Sequence, residues 1–386
     1  MEVSFKHGNK GRLAFYGWTD YLLLNLVSTK ESHYPTEPAD LFVFNLNRVS
    51  TELIDAIKES RVFENVYLIQ PMHQSKLIGF ANKIKRLFSG NKYYRYYAQQ
   101  MESFTGSTKY TIFFTGAFWS ETLNIARYLF TANPEMEINF VEEGTASYLD
   151  TDYLYRCMPR GGAREKIYRY MHYRDSYRRA KRQFKYVYLY EPKLKASSDN
   201  VKRILPISEL VTAERILRKV SDSVNIYPYS ACKFFFFITP SRAGQKDVHE
   251  ESLTILESIM DSIKRSDVLV MLHPDIVGAE AESCRHRSKE MHVIASTVLV
   301  EAVFSQVDMS EKVLVSTNST ALITPKLLFN KEPHIIMTHR LFKIHKIKDW
   351  KRNEAYLRQI LMLYDGKKRV FAPCTIEELN EIVIRF

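Results

Sequence analysis

The sequence predicts an α/β protein built in two halves. Three observations predict it: short apolar runs alternate with helical stretches from Arg12 to Val141, a second such series starts at Lys233, and the two are separated near residues 200–232. A chain of 386 residues is long enough for two domains, each with its own core. Hydrophobic residues at 45% and charged residues at 26% place it among folded chains and exclude a disordered one.

The first series opens with an apolar strand from Arg12 to Tyr16. A turn, Gly17-Trp18-Thr19-Asp20, leads into the helical run from Tyr21 to Val27, with Thr19 or Asp20 as its cap. Leu41–Phe44 reads as a strand, Thr51–Lys58 as a helix, and Asn65–Ile69, Thr111–Phe114 and Ile138–Val141 as further strands. A long basic and aromatic segment, Arg156–Lys185, interrupts the order before strand character returns at Tyr186–Tyr190. The second series reads Phe234–Ile238 as a strand, Glu251–Lys264 as a helix, Asp267–Leu272 as a strand, and Val298–Phe304 and Lys312–Val315 as two more. Alternation of this kind implies mostly parallel sheets and two Rossmann-like domains facing a central cleft. The division is expected at 225/226, giving domains 1–225 and 226–386.

The net charge of +11 favours anionic partners: phosphorylated substrates, anionic headgroups or nucleic acid. The four cysteines, Cys157, Cys232, Cys284 and Cys374, form no CxxC pair, which argues against a zinc site of usual spacing and against a disulfide framework. Met1–Arg12 lacks an apolar stretch of signal-peptide type, and no segment approaches a membrane span. The expectation is a cytoplasmic protein.

Three short motifs follow strand ends, where open α/β sheets bind ligands. Glu142-Glu143-Gly144 places two carboxylates on a tight turn, suited to a general base that deprotonates a sugar hydroxyl, or to a solvated acidic turn. His273-Pro274 ends the strand Asp267–Leu272. Pro274 restricts His273 to extended conformations and so helps aim an imidazole at a leaving phosphate, the plainer alternative being a His satisfied locally. Ser319-Thr320 opens a helix after an apolar strand, giving hydroxyl and backbone donors for an anion or an ordinary cap; Ser316-Thr317 offers the same chemistry in a competing register.

In this order the three motifs resemble those of the bacterial sialyltransferases of the GT-B fold, specifically the lipooligosaccharide sialyltransferases of glycosyltransferase family 52 and the related polysialyltransferases. The resemblance runs from about Leu13 to Leu328. The aromatic run Tyr186–Pro192 shares it, and so does Glu301, in a segment taken as an apolar strand, at the place of a ribose-binding acid. The residues flanking His273-Pro274, Leu272 and Asp275, depart from the basic neighbours expected there, and Thr320 stands where Ser is commoner. The resemblance implies inverting, metal-independent transfer from CMP-sialic acid to a hydroxyl of a cell-surface glycan or glycolipid, such as lipooligosaccharide or capsular polysaccharide. It implies Glu142 as base, with Glu143 as the alternative, His273 as acid or phosphate stabiliser, and Gly144, Pro274, Ser319, Thr320 and Glu301 around the nucleotide, with no cofactor. It also admits a homodimer.

Two further features compete. Asp150-Thr151-Asp152 matches the Asp-x-Asp pattern of metal-dependent transferases, but stands after a poor strand and without other carboxylates in a metal-like array. The basic segment Arg156–Lys185, and the amphipathic Lys76–Arg95, suit peripheral contact with the anionic inner face of the plasma membrane better than they suit nucleic acid.

Overall fold

A computed structural model describes residues 11–45, 49–72, 90–149, 163–195, 203–208, 210–240, 246–294, 298–342, 350–364 and 367–386. The chain divides into two compact units, Met1–Ala213 and Glu214–Phe386, with the division inside the helix Val211–Ser221.

The first unit holds seven parallel strands: β1 (Arg12–Gly17), β2 (Ala39–Phe44), β3 (Asn65–Ile69), β4 (Tyr110–Thr115), β5 (Glu137–Val141), β6 (Phe184–Leu189) and β7 (Arg203–Pro206). Their order is β3-β2-β1-β4-β5-β6-β7. Parallel strands covered on both faces need continuous apolar runs, which is why Leu13–Tyr16 and Leu41–Phe44 are buried without alternation. Thr19 caps the helix Asp20–His33, its hydroxyl accepting from the Leu22 N–H at 3.3 Å, and Ser50 does the same for Thr51–Ser60. The core is aromatic: Phe15 stacks on Phe114 at 4.3 Å, and the Tyr34 and Tyr188 hydroxyls meet at 2.7 Å.

The second unit holds six parallel strands: β8 (Phe234–Ile238), β9 (Val268–Leu272), β10 (His292–Ile294), β11 (Val313–Ser316), β12 (His334–Met337) and β13 (Val370–Phe371). Their order is β10-β9-β8-β11-β12-β13. Both sheets therefore reverse direction beside their first strand, between β1 and β4 and between β8 and β11. At such switch points adjacent crossovers leave on opposite faces and open a crevice at the carboxyl ends. The fold is GT-B, with one Rossmann-like sheet in each unit.

One expected strand is corrected. Val298–Phe304 is not a strand; Val300–Gln306 is a helix. The buried positions Leu299, Ala302, Val303 and Val307 are spaced for a helix, and the β-branched residues concealed that period. The strand of this step is the short, half-buried β10. The expected helix over 251–264 runs instead from Lys246 to Ser258, and β12 and β13 extend the sheet beyond the strands read from sequence. Asp150-Thr151-Asp152, residues 156–162 of the basic segment and residues 76–89 of the amphipathic one lie outside the described residues. The remainder of the basic segment forms the helix Ala163–Gln183, with Arg178, Lys181 and Arg182 exposed. Among the described residues no helix is long and apolar enough to cross a membrane.

At the amino ends of β1–β4, Asp40 joins four strands. Arg12 donates to both of its oxygens (2.6 and 2.7 Å), Tyr110 to one (2.6 Å) and Asn65 to the other (2.8 Å). Burial alone would raise the Asp40 pKa, but these donors outweigh it and hold it below the usual carboxylate range. Asp40 is ionised more readily folded than unfolded, so its stabilisation is present above the unfolded pKa near 3.8 and is lost as pH falls below that. Asp40→Ala leaves a buried phenol unpaired and Arg12 with Glu64 (2.6 Å) as its remaining partner; it is expected to lower unfolding free energy by about 2 kcal/mol in a urea titration, and to flatten the acid limb of the stability profile.

Candidate functional site

In the first unit, Glu142-Glu143-Gly144 leaves the end of β5, one strand from the switch point. The two carboxylates have opposite environments. Glu142 is wholly buried, and both oxygens are taken. Tyr21 donates to Oε1 at 2.5 Å, while the Tyr148 hydroxyl and the Tyr190 N–H (3.1 Å) donate to Oε2. Its backbone is equally fixed, by the Asn25 amide on its carbonyl (2.8 Å) and by the Tyr188 carbonyl on its N–H (3.0 Å). Desolvation pushes the Glu142 pKa up to about 7, against the pull of the donors from Tyr148, Tyr21 and Tyr190. Burial raises both phenols well above their ordinary value, and the neighbouring carboxylate adds to it.

Glu143 is half-buried. Its Oε1 accepts from the Trp18 indole N–H at 2.9 Å, and its own N–H donates to Ser147 Oγ at 2.9 Å. Trp18 follows β1, so this bond reaches from β5 to β1 over the end of β4. Gly116 makes the reach feasible: a Cβ there would lie 3.0 Å from Leu22 and 3.1 Å from the Glu143 Cβ. Gly144, at φ 114°, takes a backbone conformation that L side chains rarely adopt, which turns the chain back so that Ser147 can meet Glu143. Of the pair, Glu143 is the carboxylate that a ligand can approach.

In the second unit, His273 ends β9 and is partly exposed. Its Nδ1 accepts from the Asp275 N–H at 3.1 Å, whereas the Asp275 carboxylate stands at 3.8 Å, beyond hydrogen-bond range. That bond fixes the proton on Nε2, which makes Nε2 the ring's donor. Pro274 is exposed and makes the turn closed by the Ile276 N–H on the His273 carbonyl (2.8 Å).

Ser316–Thr320 lies at the switch point itself, after β11. Ser316 is buried: its hydroxyl donates to the Phe237 carbonyl on β8 (3.2 Å) and accepts from the Ser319 N–H (3.3 Å). Thr317, also buried, pairs with Thr338 after β12 (3.2 Å). These two shape the turn, and Ser319 and Thr320 are its half-exposed members. Ser319 caps the 3-10 turn Thr320–Leu322 by accepting from the Ala321 N–H (3.2 Å), which leaves its hydroxyl hydrogen to donate. From the later helix Trp350–Leu363 and the residue after it, Tyr356 and Tyr364 donate to the Ser319 and Leu322 carbonyls (2.8 and 3.2 Å). Glu301 is in the first turn of its helix, 6% exposed, and that helix packs on Thr324–Phe329, which follows the turn. His273 and this turn flank β8 on either side, roughly 10 Å apart at ordinary strand spacing.

Sequence reasoning missed Trp18, Tyr21, Asn25, Tyr148 and Tyr190 around the acidic pair, and Tyr356 and Tyr364 behind the anion turn. Their only local signal is tyrosine density near the motifs. Among the described residues no group of three or more His, Cys, Asp or Glu could hold a metal ion.

No family model and no curated protein matches the chain. Solved structures do match along almost its full length. The UDP-GlcNAc 2-epimerase of Neisseria meningitidis, bound to UDP-GlcNAc, is 12% identical with a TM-score of 0.54, over 97% of this chain and 98% of that one. A putative UDP-N-acetylglucosamine 2-epimerase of Listeria monocytogenes is 9% identical with a TM-score of 0.52, over 97% and 91%. At this identity the likeness is one of fold.

Because Glu142 binds its proton more tightly folded than unfolded, stability falls as pH rises from 4.5 to about 7, by on the order of 3 kcal/mol. Glu142→Gln is expected to remove that slope from thermal melts recorded across the same window. A slope that persists in the variant assigns it to other groups.

Proposed function

We propose that the chain is an inverting, metal-independent sialyltransferase that moves sialic acid from CMP-sialic acid to a hydroxyl of a surface glycan. The observation that carries this reading is that each unit, taken by itself, ends a strand in fitting chemistry: an approachable carboxylate, Glu143, in the first, and a donor imidazole and a hydroxyl-rich turn on either side of β8 in the second. Glu143 takes the proton of the acceptor hydroxyl, and the freed oxygen attacks the anomeric carbon. The bond from that carbon to the phosphate oxygen breaks, with its electron pair going to CMP. His273 Nε2–H hydrogen-bonds or protonates the departing phosphate, while Ser319 and Thr320 donate to its remaining oxygens. Glu301 holds the ribose. Glu142 acts through Glu143: three donors fix its carboxylate, and that fixes the turn bearing the base. The exposed Arg178, Lys181 and Arg182 support peripheral attachment to an anionic membrane surface, where glycolipid acceptors are found.

A second reading keeps the nucleotide sugar and changes the donor. It is favoured by the fold shared with an enzyme bound to UDP-GlcNAc. Under it, the same turn holds a UDP-sugar pyrophosphate.

CMP release from CMP-sialic acid in EDTA separates the two. Release that survives EDTA and falls at least about a hundredfold in His273→Ala is expected, the lower end for loss of an acid catalyst. Glu143→Gln is expected to abolish transfer to an acceptor, with Glu142→Gln losing less. Turnover of UDP-GlcNAc without CMP release would establish the second reading.

A further inference from the structure

The connection from β4 into the helix Ser120–Ala132 contains a feature that the proposed chemistry leaves unused. Thr115, Gly116, Ala117 and Phe118 are all buried; Phe118 packs edge-on to Phe140 at 4.7 Å, and Thr115 donates to the Ala117 carbonyl. The next residue, Trp119, is 46% exposed. It precedes a helix that begins without a side-chain cap, at the carboxyl edge of the sheet. The rigid loop beneath leaves an indole in solvent beside the switch point of the unit. Trp119 is three residues from Gly116, so at most about 11 Å along the chain from the residue against which the Glu143 Cβ rests. That is the span of one to two sugar rings.

We propose that Trp119 is the platform on which a neutral sugar ring of the acceptor stacks, with its hydroxyl directed to Glu143. A pyranose presents a face of C–H bonds that complements the electron-rich face of an indole. The loop's charge selects against an anionic ligand. From Thr115 to Asn124 there is no Lys, Arg or His, and Glu121 stands in the first helical turn. The loop itself offers a nucleotide phosphate or an anionic headgroup no counter-charge, whereas a neutral ring needs none. This inference rests on the transferase reading for its purpose, though not for its test.

The test is direct binding, followed by kinetics. Lactose, N-acetyllactosamine and maltotriose are titrated against wild type, Trp119→Phe, Trp119→Ala and Glu143→Gln by saturation-transfer NMR. At least one saccharide is expected to bind wild type, to bind Glu143→Gln somewhat less tightly because its hydroxyl loses a charged acceptor, to bind Trp119→Phe with part of the wild-type affinity, and to lose about tenfold or more in Trp119→Ala, as on removal of a stacked aromatic. Thermal melts check that the variants remain folded. In turnover, Trp119→Ala is expected to raise the acceptor KM about tenfold while CMP release into water is unchanged. Equal binding by wild type and Trp119→Ala overturns the proposal, as does an absence of binding to all three saccharides. So does a Trp119→Ala defect confined to phosphatidylglycerol vesicles. If wild type releases no CMP, the sialyltransferase reading falls, and the binding titration still decides the role of Trp119.

Discussion

A carboxylate sealed inside an aromatic core is tolerated only where donors replace the water it has lost, and the first unit is organised around meeting that requirement at Glu142. The donors come from the first helix (Tyr21), from the turn after β5 (Tyr148) and from the end of β6 (the Tyr190 N–H). Asn25 ties the same assembly together twice, donating to the Glu142 carbonyl and accepting from the Tyr190 hydroxyl (3.0 Å). The elements at this end of the sheet thus converge on one side chain. The adjacent Glu143 inherits a fixed backbone while its own carboxylate stays within reach of solvent. Two neighbouring residues of identical chemistry are given different work by environment alone.

The two units solve a common problem in different ways. Each sheet reverses beside its first strand, which opens a crevice at its carboxyl edge. In the first unit that crevice is bridged by a side chain, Trp18 to Glu143, over a glycine. In the second it is shaped by hydroxyls, Ser316 holding β8 on one side and Thr317 holding the residue after β12 on the other. A carboxylate suits a site that must accept a proton, and hydroxyls and an Nε2–H suit one that must give hydrogen bonds to an anion. The charge character of each crevice matches the half-reaction proposed for it.

The strand-end motifs were legible because an apolar run that stops abruptly at polar residues marks where a parallel strand leaves the core. That signal located Glu142–Gly144, His273-Pro274 and Ser316–Thr320 without knowledge of the fold. It failed at Val298–Phe304, where β-branched residues in helical register read as a strand. It could not find Tyr21 or Tyr190, which lie 121 and 48 residues from Glu142 and meet it only through the strand order. Nor could it rank the two glutamates, since burial is a property of the assembled sheet. Trp119 was silent for the same reason: an aromatic in an apolar loop is expected to be buried, and only the packing of Phe118 shows that it is not.

The hydrogen bonds from Tyr356 and Tyr364 to the turn at residues 319–322 carry a consequence for biosynthesis. The first unit has all its strands by residue 206 and can fold while the ribosome is still working. The turn at residues 319–322 has no such autonomy, because the groups that hold its carbonyls are made some forty residues later. From the completion of the first unit at Ala213 until Tyr364 is made, a finished first unit is therefore tethered to an unfinished second one. The second unit then gains its hydroxyl-rich turn in one late event, when the helix Trp350–Leu363 docks.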